Sequence, residues 1–169
     1  LRPEMGVIVN GVVSPDDYSP KDVVKSTVAD FLSILGDEAL KQAGRSEERR
    51  YLIEQVIRNG VNCEVAARRA LGLPWKQLTD TKRQEFVNLF IQLLRDMLAN
   101  KIDQYPDARL LYLSERRNGR FAEVRTSLTG SKVDTSIDFR LGGQVGHWLI
   151  DDLVIDGASL VNNYQAQFN

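Results

Sequence analysis

GHWLIDDLVIDGASLVNNYQAQF, residues 146 to 168, is the stretch whose reading decides the fold. It reads as a strand carrying Trp148, Ile150, Leu153 and Ile155, a short break at Asp156-Gly157-Ala158, and a helix opening near Ser159. Side chains alternate between the two faces of a strand, so the change of parity between Ile150 and Leu153 would send the two pairs to opposite sides. An extra residue cancels that effect, and the spacing predicts a β-bulge at Asp151-Asp152 that turns both pairs inward. Gly157 permits a sharp exit from the strand, and Ser159 has the side chain of a helix N-cap.

The region before this strand also has a period of two. Arg109 to Glu115 and Phe121 to Leu128 read as strands joined at Arg117-Asn118-Gly119-Arg120, a two-residue hairpin signal. Val133, Thr135, Ile137, Phe139 and Leu141 then alternate with Asp134, Ser136, Asp138 and Arg140, which gives one buried and one wet face. Gly142-Gly143 reads as the turn into the strand of Trp148. The expected sheet is a four-stranded antiparallel meander.

Ahead of Pro106 the period is 3.6. Ser19-Pro20 pairs an N-cap with the favoured first helical residue, and Val23, Val24, Thr27, Val28, Phe31, Leu32 and Leu35 recur at helical spacing until Gly36. A second helix is expected from Ser46 to Asn59-Gly60, burying Tyr51, Leu52, Val56 and Ile57. A third covers Cys63 to Leu71, stopped by Gly72 and Pro74, and Trp75 then anchors the connection on the core. The longest helix runs from Asp80, capped by Thr79, to Gln104. Phe86, Val87, Phe90, Leu93, Leu94, Met97, Leu98 and Ile102 line one side of it, with Lys82, Arg83, Gln84, Asn88 and Arg95 on the other. Helices packed on one face of an antiparallel sheet make an α+β fold. Residues 1–19 fit no helical period and read as an irregular leader, with a possible small hairpin about Asn10-Gly11; residues 20–169 form a single domain.

Composition narrows the classes of function. Twenty-two basic and 23 acidic residues are intermixed to a net charge of −1, which argues against a nucleic-acid binder with its basic face. No apolar run reaches the length of a membrane span. Cys63 is the only cysteine and His147 the only histidine, far apart in sequence, whereas nucleophilic and metal sites need several convergent groups. Asp151 and Asp152 point to opposite faces of a regular strand and form a carboxylate pair only if the bulge turns both the same way. Arg116, Arg117, Arg120 and Arg125 gather about the first hairpin, either as a solvated edge that discourages strand association or as a contact for a head group or an acidic partner.

Several spaced motifs in one order also carry a resemblance. Leu71-Gly72…Trp75…Thr79, Arg83…Phe86…Phe90…Leu94, Ala122-Glu123-Val124-Arg125-Thr126, and the tryptophan strand with its acidic pair, Gly-Ala-Ser-Leu-Val and Tyr…Phe helix together resemble the MlaC / toluene-tolerance (Ttg2) family of periplasmic phospholipid carriers. The resemblance spans roughly Pro20 to Phe168. It implies an NTF2-like cone in which helices and a curved sheet enclose acyl chains, with no catalytic residue, metal or other cofactor. It implies that Phe31, Leu35, Val56, Phe86, Phe90, Leu94, Val124, Ile137, Phe139 and Trp148 surround a cavity, with Ala158 turned towards it beside Val154 and Leu160. It further implies a periplasmic monomer, with the signal peptide absent from this chain. Its partners would be an inner-membrane ABC transporter with its MCE-domain subunit and an outer-membrane lipoprotein–porin complex. The chain departs from the family in carrying Cys63 and Met97, and in stopping at Asn169 where relatives continue into a helical tail. A hopanoid or other apolar lipid is an alternative cargo. An NTF2-like enzyme acting on a small apolar substrate is an alternative class, with Asp152 the carboxylate nearest to a catalytic position.

Overall fold

A computed structural model of the chain describes residues 18–104, 107–130, 134–144 and 147–168. The Asn10-Gly11 hairpin reading, Val133 and Gly146 lie outside the described residues. Four of the five α-helices described begin where a side chain supplies a partner for a free N–H group. In α1 (Pro20–Leu35) Ser19 Oγ accepts from Asp22 N at 3.0 Å and the Asp22 carboxylate accepts from Ser19 N, a reciprocal capping box. A 3-10 turn (Glu38–Lys41) leads to α2 (Ser46–Gly60), whose first turn carries Glu47 and Glu48. Asn62 caps α3 (Cys63–Leu71), which Gly72 ends at φ 80. A second 3-10 turn (Leu73–Gln77) buries Trp75 to 5% exposure, as expected of an anchor, before Thr79 caps α4 (Asp80–Asp103).

Two helical faces differ from expectation. On α2 the buried set is Ile53, Val56, Ile57 and Gly60, spaced at i, i+3, i+4 and i+7, and Tyr51 falls off that face, 60% exposed. On α4 the buried face is Val87, Phe90, Ile91 and Leu94, while Arg95 turns inward to pair with Glu54 of α2.

The strands β1 (Arg109–Asn118), β2 (Phe121–Thr129), β3 (Thr135–Gln144), β4 (His147–Ile155) and β5 (Ala158–Ser159) form one antiparallel sheet in chain order. Five strands replace the expected four because Asp156 and Gly157 take φ 49 and 86, the type I′ geometry that folds the chain straight back onto β4. Gly142-Gly143 is not a turn. Both glycines lie within β3, opposite Leu149 and Trp148, where a Cβ on Gly143 would strike the His147 carbonyl and one on Gly142 would lie 2.9 Å from Asp151 Oδ2. The bulge expected at the acidic pair is present: Arg140 faces Asp152 and Leu141 faces Ile150, so Asp151 is the extra residue.

Most of the buried apolar side chains described fall into two clusters. Phe31 and Leu35 of α1, Ile53, Val56 and Ile57 of α2, Trp75, Phe90 and Leu94 join Val161 of α5 (Leu160–Phe168) in a helical cluster. Val23 and Val24 of α1 pack with Ala122, Val124, Phe139, Leu141, Trp148 and Ile150 on the inner face of the sheet, and Leu153 joins them across the bulge. Helix α1 belongs to both clusters, and Val61 touches both. Helix α2 meets α1 tightly at Gly60, where a Cβ would lie 2.7 Å from Thr27 Cγ2. Alanine there gains helix propensity but overpacks a buried contact, so Gly60→Ala is expected to cost about 1–3 kcal/mol without loss of fold. A lowered urea midpoint at unchanged circular dichroism is the outcome; an unchanged midpoint would show that the helices separate freely.

Candidate functional site

The bulge that repairs the parity of β4 also decides where its two carboxylates go. Asp152 pairs with exposed Arg140 and so points away from Trp148 and Ile150, yet it is buried, because α3 and α5 cover that part of β4. Its Oδ1 accepts from Leu153 N at 2.8 Å and Val161 N at 3.1 Å. Its Oδ2 accepts from the Ser159 hydroxyl and from Arg69 Nη2 at 3.4 Å, with Arg140 Nη1 4.0 Å away. Ser159 Oγ in turn accepts from Asn162 N, which makes it the N-cap expected for the last helix. Arg69 Nη1 reaches both the carbonyl and Oδ1 of Asp151. One guanidinium therefore serves both carboxylates, which the bulge has brought to the same partner.

Every acceptor direction of Asp152 is thus committed to holding β4, α3 and α5 together. That is the arrangement of a structural carboxylate, with no open position for a substrate proton. Burial pushes the Asp151 carboxyl above its ordinary value; the Arg69 guanidinium works against the shift and neighbouring Asp152 with it. Burial likewise raises the Cys63 thiol to about 11, so it stays protonated, with Sγ 3.5 Å from the Val61 carbonyl. His147 is exposed. Among the described residues no three His, Cys, Asp or Glu side chains converge as metal ligands, and no helix is long and apolar enough to cross a membrane.

The residues assigned to a cavity from sequence fall as follows. Phe31, Leu35, Val56, Phe86, Phe90, Leu94 and Leu160 belong to the helical cluster, and Val124, Ile137, Phe139 and Trp148 to the sheet cluster. Val154 and Ala158 do not join either set. The parity change at Asp151 puts Val154 on the Asp152 side of β4, and Ala158 is exposed where β5 forms. Two further features stand out among the apolar side chains. Leu32, one turn after Val28 on α1, keeps 45% exposure, and Leu93 on α4 keeps 43%, although both sit beside buried neighbours. Trp148 is 3% exposed, and its Nε1–H has no hydrogen-bond partner among the described residues. Only the helical spacing of Leu32 and Leu93 was visible in the sequence.

Comparison with known proteins places this architecture. The family described as MlaC protein matches residues 25–169. The chain belongs to the MlaC family. It is similar to the intermembrane phospholipid transport system binding protein MlaC of Haemophilus influenzae, 24% identical over 140 residues that cover 77% of this chain and 65% of that one. The chain therefore spans a little under two thirds of that relative's length. It shares its fold with a solved phospholipid-binding protein from Ralstonia solanacearum in complex with a phospholipid, at a TM-score of 0.74 and 24% identity over 86% of this chain and 83% of that one.

Two measurements test the carboxylate cluster of this MlaC-family chain. Asp152→Ala leaves Val161 N, Leu153 N and the Ser159 hydroxyl without their acceptor, and is expected to destabilise by roughly 2–4 kcal/mol, read from chemical denaturation. For Asp151 the sign is the reverse of a usual carboxylate. Its folded pKa lies above the unfolded value of 3.8, so the folded state holds the proton more tightly and stability falls as pH rises from 3.8 through the raised value. Asp151→Asn should remove that fall, gaining on the wild type across this window; parallel stability curves would refute the assignment.

Proposed function

We propose that this protein is a periplasmic phospholipid carrier that holds acyl chains between its helical layer and the inner face of its sheet. The observation that carries the reading, for a chain of the MlaC family, is that its apolar interior divides into two clusters where a domain of this size ordinarily closes one. The named relatives, one a phospholipid transport binding protein and the other bound to a phospholipid, support the same cargo. The acyl chains lie across Leu32 and Leu93, with Phe31, Phe90 and Leu94 on one side and Val124, Ile137, Phe139 and Trp148 on the other. The unpartnered Trp148 N–H offers a donor to a lipid oxygen.

Each methylene withdrawn from water contributes about 0.8 kcal/mol, so a chain of about fifteen contributes on the order of 12 kcal/mol, ample to hold a lipid in an aqueous compartment. The step is physical transfer, and it asks no bond-making of the protein. Direction and energy come from the complexes it meets: an inner-membrane ABC transporter with an MCE-domain subunit, and an outer-membrane lipoprotein–porin complex.

Native mass spectrometry of protein purified from its own host tests the reading. Phospholipid is expected on the wild type and absent from Leu32→Arg and Leu93→Arg, both of which should fold because each side chain already reaches solvent. A triterpenoid in place of phospholipid would change the cargo, and equal occupancy in wild type and variants would place the lipid elsewhere.

A further inference from the structure

The β1–β2 hairpin combines two properties that do not belong together on an inert surface. Leu111, Leu113 and Phe121 are 49%, 62% and 67% exposed, among the most exposed large apolar side chains described. On the same hairpin Arg120 precedes Phe121 and Arg116 faces Glu123 across the strands; both arginines are exposed and make no ion pair among the described residues. Residues 107–130 hold five arginines against three acidic residues, while the whole chain has a net charge of −1, so positive charge is concentrated here. β1 is also the edge of the sheet, and Leu113 is the extra residue of a second bulge.

Arginines and a bulge by themselves are what a protected edge strand requires. Exposed leucine and phenylalanine are not, since they promote the association the arginines would prevent. A second copy of the chain fits poorly, because docking hairpin on hairpin would set arginine against arginine. A protein partner would need a pocket shaped for Phe121 standing off the hairpin end. A bilayer needs no such complement: acyl chains accept a projecting aromatic side chain, and phosphates accept flanking guanidiniums. We propose that this hairpin is a docking surface for an anionic phospholipid bilayer, with Phe121 and Leu113 entering the interface and Arg116 and Arg120 on the phosphates. The proposal rests on the carrier reading for its purpose, since it supplies the place where cargo meets a membrane, but attachment is measured apart from cargo.

Flotation with phosphatidylcholine vesicles, with and without phosphatidylglycerol, tests it, each purified protein being extracted for bound lipid before it meets the vesicles. Wild-type protein is expected to float with the anionic vesicles and to detach as salt is raised. Phe121→Ser and the double variant Arg116→Gln/Arg120→Gln should each lower partitioning, the latter on the order of tenfold, with bound lipid unchanged. Arg50→Gln, an exposed charge on α2, should leave it unaltered. Wild type that stays in the aqueous layer overturns the proposal, even where an acidic protein captures the same face. So does an Arg50→Gln loss equal to that of the hairpin variants. A wild type that floats but carries no phospholipid would fail the carrier reading instead.

Discussion

A carboxylate shut away from water persists in a fold only when its acceptor positions are met, and this structure is arranged around one such group. The Asp152 side chain is fully inaccessible, and its partners come from four different parts of the chain: its own strand, the cap residue Ser159, the first turn of α5 at Val161, and Arg69 on α3. Ser159 and Val161 reach Asp152 because Asp156-Gly157 turns the chain back onto β4, and Arg69 reaches both carboxylates across the bulge. The bulge, the tight turn, the extra strand and the last helix are therefore one cooperative unit.

That unit frees the inner face of the sheet. With α3 and α5 held at β4, α1 is the main helix laid over the meander, reaching it through Val23 and Val24 and through the bond from Lys21 N to Glu115. Helix α4 packs on α2 and α3, with Phe90 edge-on to Tyr164 of α5, and is secured by Arg95 to Glu54. The fold thus stands on polar fastenings together with two apolar clusters that α1 and Val61 connect. The carrier proposal rests on that division, since a fully interlocked interior would have no place for a second molecule.

Much of this was legible in the residues. The switch of apolar period about Pro106 separated helices from sheet, and the parity change between Ile150 and Leu153 announced the bulge that Leu153 confirms by sharing a cluster with Trp148. Caps at Ser19, Thr79 and Ser159 were readable because they act within three or four residues. What failed was long-range. Asp152 reads as the carboxylate nearest to a catalytic position until Arg69 arrives from another helix and Ser159 and Val161 take its acceptor directions, and Gly142-Gly143 reads as a turn because nothing local tells of the close approach of His147 and Asp151. Val154 and Ala158 were placed at the cavity from the resemblance and from the small side chain of Ala158, whereas the same bulge that turned Leu153 inward turned Val154 the other way. The motifs resembling the MlaC family survived these errors because they rest on residue order, and order does not require the faces to be known.

The central claim is that the two clusters are completed by an apolar ligand. Thermal unfolding of delipidated protein, alone and after reloading with a phospholipid, tests it most directly, because a molecule that binds only the folded state raises stability in proportion to its affinity and concentration. The account predicts a clear rise in Tm on reloading, reversed by stripping the lipid again. Superimposable unfolding curves for stripped and reloaded protein would mean that the two clusters form a complete core without a ligand, and would contradict it.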